Sequence, residues 1–102
     1  MLAAPLPPTA IVTGNNRATS AVLRALRDID AQPAVIGFDD FELAEMLGIS
    51  VVAHDPHALG RAAARLTLDR IADPGGRAQF IEMPTHLVCR GSGERAPHHA
   101  DA

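Results

Sequence analysis

Five consecutive small or apolar residues, AVIGF at 34–38, constrain the fold of this chain more than any other stretch. The run has the length of a strand and lacks a polar face, which is the pattern of a parallel strand covered on both sides. Parallel strands need long crossover connections, usually helices. The run therefore predicts an α/β fold, an open and mostly parallel sheet with flanking helices.

Helices and further short strands are predicted around this run. Apolar residues of the first helix recur with a 3.6-residue period, and the stripe is Ala18, Ala21, Val22, Ala25, Leu26 and Ile29. Gly and Asp-Pro signals mark the ends of the other helices. The predicted elements are strands at 9–14, 34–38, 50–53, 79–84 and 86–91, and helices at 18–29, 41–47 and 57–72.

Composition excludes several classes of protein. The 102 residues carry a net charge of -3, and no basic cluster is present that could follow a phosphate backbone, so nucleic-acid binding by this segment is not expected. Cys89 is the single cysteine and is expected to be reduced and buried. No signal peptide or apolar run of about 18 residues is found, which favours the cytoplasm over a membrane.

The two ends of the chain differ in composition from the middle. Residues 1–8 are predicted to form an irregular, proline-containing lead, and 94–102 are predicted to form a disordered tail. The folded part is therefore expected to span 9–93.

Polar pairs follow three of the predicted strands. In open α/β sheets, ligands bind beyond the carboxyl ends of the strands, and carboxylates and amides are suited to sugar hydroxyls or ring nitrogens. Each pair could instead be only a helix N-cap, a common role for Asp and Asn. The pairs are Asn15-Asn16, Asp39-Asp40 and His54-Asp55.

Metal and catalytic alternatives have less support from the residues. An Asp pair can hold Mg²⁺, but phosphoryl-transfer sites of that kind usually add a lysine, and the chain has none. The histidines are not spaced as ligands on one helical face, so no metal site and no cofactor are predicted.

The ordered series TAIVTGNNR, VIGFDD, VVAHDPHALGRAAARLTLDRIADPGG and MPTHLVCRGS resembles the effector-sensing domain of lac repressor and galactose repressor type transcriptional regulators. The resemblance covers about 8–93. It implies a C-terminal portion of a domain similar to periplasmic sugar-binding proteins, in which two α/β lobes close on a small molecule. The DNA-binding head of such regulators lies outside this segment.

The resemblance also implies roles for individual residues. Asn15, Asp39 and His54 would contact the ligand, while Asn16, Asp40 and Asp55 would cap helices near the site. Leu23, Met46 and Leu47 would lie near a homodimer interface. The implied partners are a small-molecule effector and, through a separate N-terminal domain, operator DNA, with no membrane contact.

Two other functions stay open at the level of sequence. The chain could be a small hydrolase-like enzyme fragment that uses Asp39 and His54 as an acid and base pair. It could also be an oligomerisation module that binds no ligand. The sensor interpretation predicts a protein that is not an enzyme.

Overall fold

The computed structural model describes residues 2–30 and 32–97 and divides the chain into two compact units. The first unit comprises Met1–Ala53 and Leu87–Ala102, and the second is His54–His86. The predicted tail lies outside the described residues from 98 onward.

Within the part of the chain that the structure describes, four strands form one sheet in the order β1-β2-β3-β4, and the first three are parallel. Val12 of β1 lies opposite Ile36 of β2, and Phe38 of β2 lies opposite Val52 of β3. The predicted α/β class with a mostly parallel sheet is confirmed. The strands are β1 (Ala10–Val12), β2 (Ala34–Phe38), β3 (Ser50–Ala53) and β4 (His86–Val88).

Residues 2–30 and 32–97 contain three α-helices and one short 3-10 helix. The helix at Glu42–Met46 ends in a Schellman motif. The amide of Gly48 donates to the carbonyl of Glu45, and the amide of Ile49 donates to the carbonyl of Ala44. Gly48 has a φ of 68°, a conformation that glycine adopts without steric cost. The helices are α1 (Asn16–Arg27), α2 (Glu42–Met46), α3 (Pro56–Ala72) and the 3-10 helix Ser92–Glu94.

Two predicted elements are corrected. The stretch 79–84 is not a strand, and its Phe80 and Ile81 side chains are 87% and 50% exposed, because no neighbouring strand is hydrogen-bonded to them. Ordered structure also extends past 93, since Glu94 ends the 3-10 helix and Arg95 donates to the carbonyl of Pro33 at 3.1 Å.

The core of the first unit is small. Leu23 and Leu26 of α1 pack against it. Three residues of the predicted stripe, Ala21, Ala25 and Ile29, are exposed. The face of α1 that points inward is therefore rotated relative to the predicted stripe. Thr19 is the residue of α1 that is fully buried. The buried apolar cluster consists of Val35, Ala44, Ile49, Val51 and Ala53.

Helix α1 approaches β2 most closely at Gly37. The Thr19 hydroxyl lies 2.6 Å from the Thr13 hydroxyl and also donates to the carbonyl of Asn15 at 3.0 Å. A Cβ atom added at Gly37 would lie 2.8 Å from Thr19 Oγ1. Because both threonines are buried and hydrogen-bonded, the helix has little freedom to move away.

Gly37→Ala is therefore expected to lower the free energy of unfolding by about 1–3 kcal/mol, the usual cost of an extra methyl group in a packed interior. Urea denaturation followed by circular dichroism measures it. Gly14→Ala is the matched control, since a Cβ there would meet no atom within 4 Å. Equal unfolding midpoints for the two variants would show that the helix is not held against β2 at this position.

Candidate functional site

The carboxyl ends of β1 and β2 lie at the same edge of the sheet, because the two strands are parallel and paired. Asn15 follows β1 and precedes α1, and Asp39 follows β2 directly. The structure thus brings two of the three predicted ligand residues to one edge. This is where small molecules bind in open α/β sheets.

Asn15 is the N-cap of α1. Its side-chain oxygen accepts a hydrogen bond from the amide of Ala18 at 2.8 Å. Asn16 is the first helical residue, so its predicted capping role is wrong, because Asn15 already supplies the oxygen at the position where it reaches the first free amides. The Asn15 side chain is an amide, which also carries two N–H donors.

Asp39 has the backbone conformation of a glycine. Its φ is 76°, and it is the one residue other than glycine with a positive φ in 2–30 and 32–97. Its amide donates to the carbonyl of Val52 at 2.9 Å, and the residue is half-buried. The left-handed conformation costs about 1–2 kcal/mol in most residues, less in Asp, and is frequent at functional sites.

Asp40 forms an ion pair and does not cap α2. The N-cap of that helix is Phe41, which has no side-chain cap bond, because the backbone turns into the helix one residue later than predicted. Both Asp40 oxygens accept from the guanidinium of Arg90, at 2.7 Å each, and Oδ1 also accepts from the Phe41 amide at 2.9 Å.

Arg90 belongs to the segment after β4 and was not predicted as part of the site. Its side chain is 17% exposed, and its Nη1 atom also donates to the carbonyl of Ile49 at 3.2 Å. Hydrogen bonding to Asp40 raises the pKa of the Arg90 guanidinium, so the positive charge is retained. A hydrophobicity pattern cannot reveal such a pair, since the two residues are 50 positions apart.

Two buried serines attach the same segment to the sheet. The Ser92 hydroxyl donates to the carbonyl of Val35 at 2.6 Å and accepts from the amide of Ser50 at 2.8 Å. The Ser50 hydroxyl accepts from the amides of Arg90 at 3.0 Å and Gly93 at 3.2 Å. Residues 90–93 are therefore fixed against the starts of β2 and β3.

Cys89 is exposed, and the prediction of a buried thiol is wrong, because β4 is a short strand at the edge of the sheet. A hydrogen bond to the Glu94 carboxylate, with smaller contributions from desolvation and from the carboxylate charge, raises the pKa of the Cys89 thiol. The thiol is thus accessible but held in its neutral form, which is the less reactive one.

His54 and Asp55 belong to the second unit. His54 directly follows Ala53 of β3 and is half-buried. Asp55 is the N-cap of α3, as predicted, and its side chain accepts from the amide of Ala58 at 3.1 Å. That hydrogen bond lowers the pKa of Asp55.

The three predicted dimer residues are placed differently. Leu23 is half-buried and packs against the core cluster. Met46 and Leu47, at the end of α2, are 74% and 54% exposed.

An open depression in the second unit is formed by the end of α3 and the residues after it, including Leu66, Arg70, Asp73 and Gln79. None of the predicted ligand residues lines it. Across 2–30 and 32–97, no group of three or more His, Cys, Asp or Glu side chains is arranged to hold a metal ion. The helices within those ranges are too short or too polar to span a bilayer.

A parallel sheet with polar residues at its carboxyl edge is typical of α/β domains that bind small molecules. The model of the periplasmic binding protein-like domain family matches residues 1–93, and the chain belongs to that family. No solved structure shows significant similarity to the chain.

Proteins with similar sequences include transcriptional regulators. The chain is 33% identical over 98 residues to the ribose operon repressor of Escherichia coli strain K12, covering 90% of this chain and 30% of that protein. It is 35% identical over 91 residues to the HTH-type transcriptional regulator PtxS of Pseudomonas putida, covering 83% and 27%. The predicted resemblance to lac repressor type regulators is confirmed.

The contact between Cys89 and Glu94 makes a testable prediction. Because the carboxylate stabilises the neutral thiol, Glu94→Gln should lower the pKa of Cys89 and speed its alkylation by iodoacetamide near neutral pH. The rate is measured as a function of pH, with the urea-unfolded chain as reference. Glu42→Gln removes an exposed carboxylate from α2 as the control. An unchanged pH profile for Glu94→Gln would contradict the contact.

Proposed function

We propose that this chain is the C-terminal part of the effector-sensing domain of a LacI-type transcriptional regulator, and that it binds a small molecule without catalysing a reaction. The observation that carries the proposal is that Asn15 and Asp39 follow adjacent parallel strands of a periplasmic binding protein-like domain. Coupling between effector and operator binding in such a regulator is typically about 1–3 kcal/mol.

The chemistry of the edge suits a polyhydroxylated ligand. An aspartate side chain such as that of Asp39 offers oxygens that accept hydrogen bonds from hydroxyl groups, whereas the Asn15 amide can also donate. His54, at the start of the second unit, is proposed as a third contact that can donate or accept. One relative is named for the ribose operon, so monosaccharides are the first effector class to test.

The remaining partners follow from the relatives. The chain spans 30% of the ribose operon repressor and 27% of PtxS. We propose that operator DNA is bound by an N-terminal domain of the longer regulator and not by this segment, which is acidic overall. The regulator would act in the cytoplasm, and the sensing domain would need no cofactor.

The effector prediction compares two neighbouring carboxylates. In a longer chain that supplies the rest of the sensing domain, Asp39→Ala should weaken effector binding by about 1.5–3 kcal/mol, the loss of a hydrogen bond to a charged group. Asp40→Ala should weaken it less and lower the melting temperature more, because Asp40 binds Arg90. Calorimetry with D-ribose, other monosaccharides and nucleosides measures the affinity.

Asp28→Ala is the control, since that exposed carboxylate pairs only with the neighbouring Arg27 within the described contacts. The chain of 102 residues alone should bind the same effectors much more weakly, because half of a closing cleft cannot bury its ligand. Micromolar binding by this chain alone would contradict the half-site proposal. Turnover of an ester, phosphate or glycoside that is lost in Asp39→Ala would favour the enzyme alternative.

We further propose that the isolated chain self-associates. Helix α3 has no buried residue, and apolar side chains of the second unit are widely exposed. Exposed apolar surface costs on the order of 25 cal/mol per Å², so pairing two copies would stabilise the chain. The most exposed of these side chains are Leu68 at 65%, Ile71 at 70% and Phe80 at 87%.

Light scattering over a dilution series tests this proposal. The unmodified chain should be a dimer at micromolar concentration. Ile71→Glu should raise the dissociation constant about tenfold or more if α3 forms the contact, since about 1.4 kcal/mol is enough for that change. Met46→Glu tests α2 in the same way. A compact monomer with a cooperative melt would overturn the proposal.

A further inference from the structure

Arg90 is held in place by hydrogen bonds other than those to Asp40. The backbone amide of Arg90 is held by the buried Ser50 hydroxyl at 3.0 Å, and Nη1 reaches the Ile49 carbonyl at 3.2 Å. Arg90 is thus anchored on the start of β3 by both main chain and side chain. Its planar fork then presents two N–H groups to one carboxylate with matching geometry.

Asp40 connects the anchored Arg90 side chain to the backbone amide of Phe41. Both of its oxygens are bound by Arg90 at 2.7 Å, and Oδ1 also accepts from the Phe41 amide at 2.9 Å. The side chain of Asp40, the residue after Asp39, and the peptide that follows Asp40 are therefore held from the Arg90 side. On the other side, the Asp39 amide is held by the Val52 carbonyl at 2.9 Å.

Asp39 lies between these two fixed points with a φ of 76°. A residue other than glycine keeps such a conformation only where its surroundings over-determine it. The bidentate pair and the bond to Val52 are two restraints of that kind: the bond to Val52 holds the peptide before Asp39, and the ion pair holds Asp40, the residue after it.

We propose that Arg90 is a positioning residue for the ligand site. It acts through Asp40 to hold Asp39 in the left-handed conformation, which sets the direction of the Asp39 carboxylate at the edge of the sheet. Its importance for ligand binding rests on the proposed function, but its effect on the Asp39 backbone does not. The effect can therefore be tested without any ligand.

The experiment is NMR of the full chain and of the variants Arg90→Gln and Asp40→Asn. A positive φ gives a strong intraresidue NOE between the amide and α protons, and the bond to Val52 protects the Asp39 amide from hydrogen exchange. Both variants should lose the strong NOE at Asp39 and at least about tenfold of its amide protection. The Ser50 amide, bound by Ser92, should change much less in the milder Asp40→Asn variant.

Rescue separates positioning from a general stabilising role. In the double variant Arg90→Gln with Asp39→Gly, the left-handed backbone is no longer costly, so protection of the amide at residue 39 should return toward the value of Asp39→Gly alone. Arg24→Gln, which removes an exposed positive charge from α1, is the control. It should leave residue 39 unchanged.

Two results would overturn the proposal. The first is an unchanged NOE and amide protection at Asp39 in both Arg90→Gln and Asp40→Asn, even if the melting temperature falls. The second is a uniform loss of protection across the sheet in Asp40→Asn, together with no recovery at residue 39 in the double variant Arg90→Gln with Asp39→Gly. Failure of the longer chain, which supplies the rest of the sensing domain, to bind any small molecule would count against the proposed function and not against this inference.

Discussion

The hydroxyl of Ser92 joins the end of the chain to both central strands, and the first unit depends on this buried contact. Ser92 bonds to Val35 and Ser50, which are 57 and 42 positions away. The core cluster contains five residues, so apolar burial alone stabilises this unit only modestly. A fully satisfied polar contact away from water is strong and directional. It also places Arg90, two residues earlier, beside the turn after β2.

Adjacent carboxylates therefore have different tasks in one turn. Asp40 forms a bidentate ion pair with Arg90, which is a contact within the protein. Asp39 has an unfavourable backbone conformation at the edge where ligands bind in this type of sheet. An ion pair beside a strained residue suits a binding site, because the pair supplies the rigidity that a loop lacks. In the proposed site, Asp40 would be the support and Asp39 the contact to the ligand.

The sequence predicted best what depends on local pattern. The predicted bounds of β2 and β3 are correct because AVIGF has no polar residue and SVVA is apolar after Ser50. The proline after Asp55 marks that residue as a helix cap. The predicted strand that contains Phe80 and Ile81 is wrong, because a composition typical of strands does not supply a neighbouring strand to pair with. The Arg90 pair could not be predicted, since a contact between residues 50 positions apart leaves no periodic signal.

The second unit is stabilised in another way. Helix α3 is rich in alanine, begins with a capped Asp-Pro pair and buries none of its residues, so local propensity and capping account for its helical conformation. In proteins, however, most of the stability of a helix comes from packing of its apolar face. Long-range contacts thus define the first unit, where the candidate site is, whereas the second unit depends on whatever covers its apolar side chains. In the proposed regulator that dependence would let the state of a covering surface affect the helix that begins beside His54.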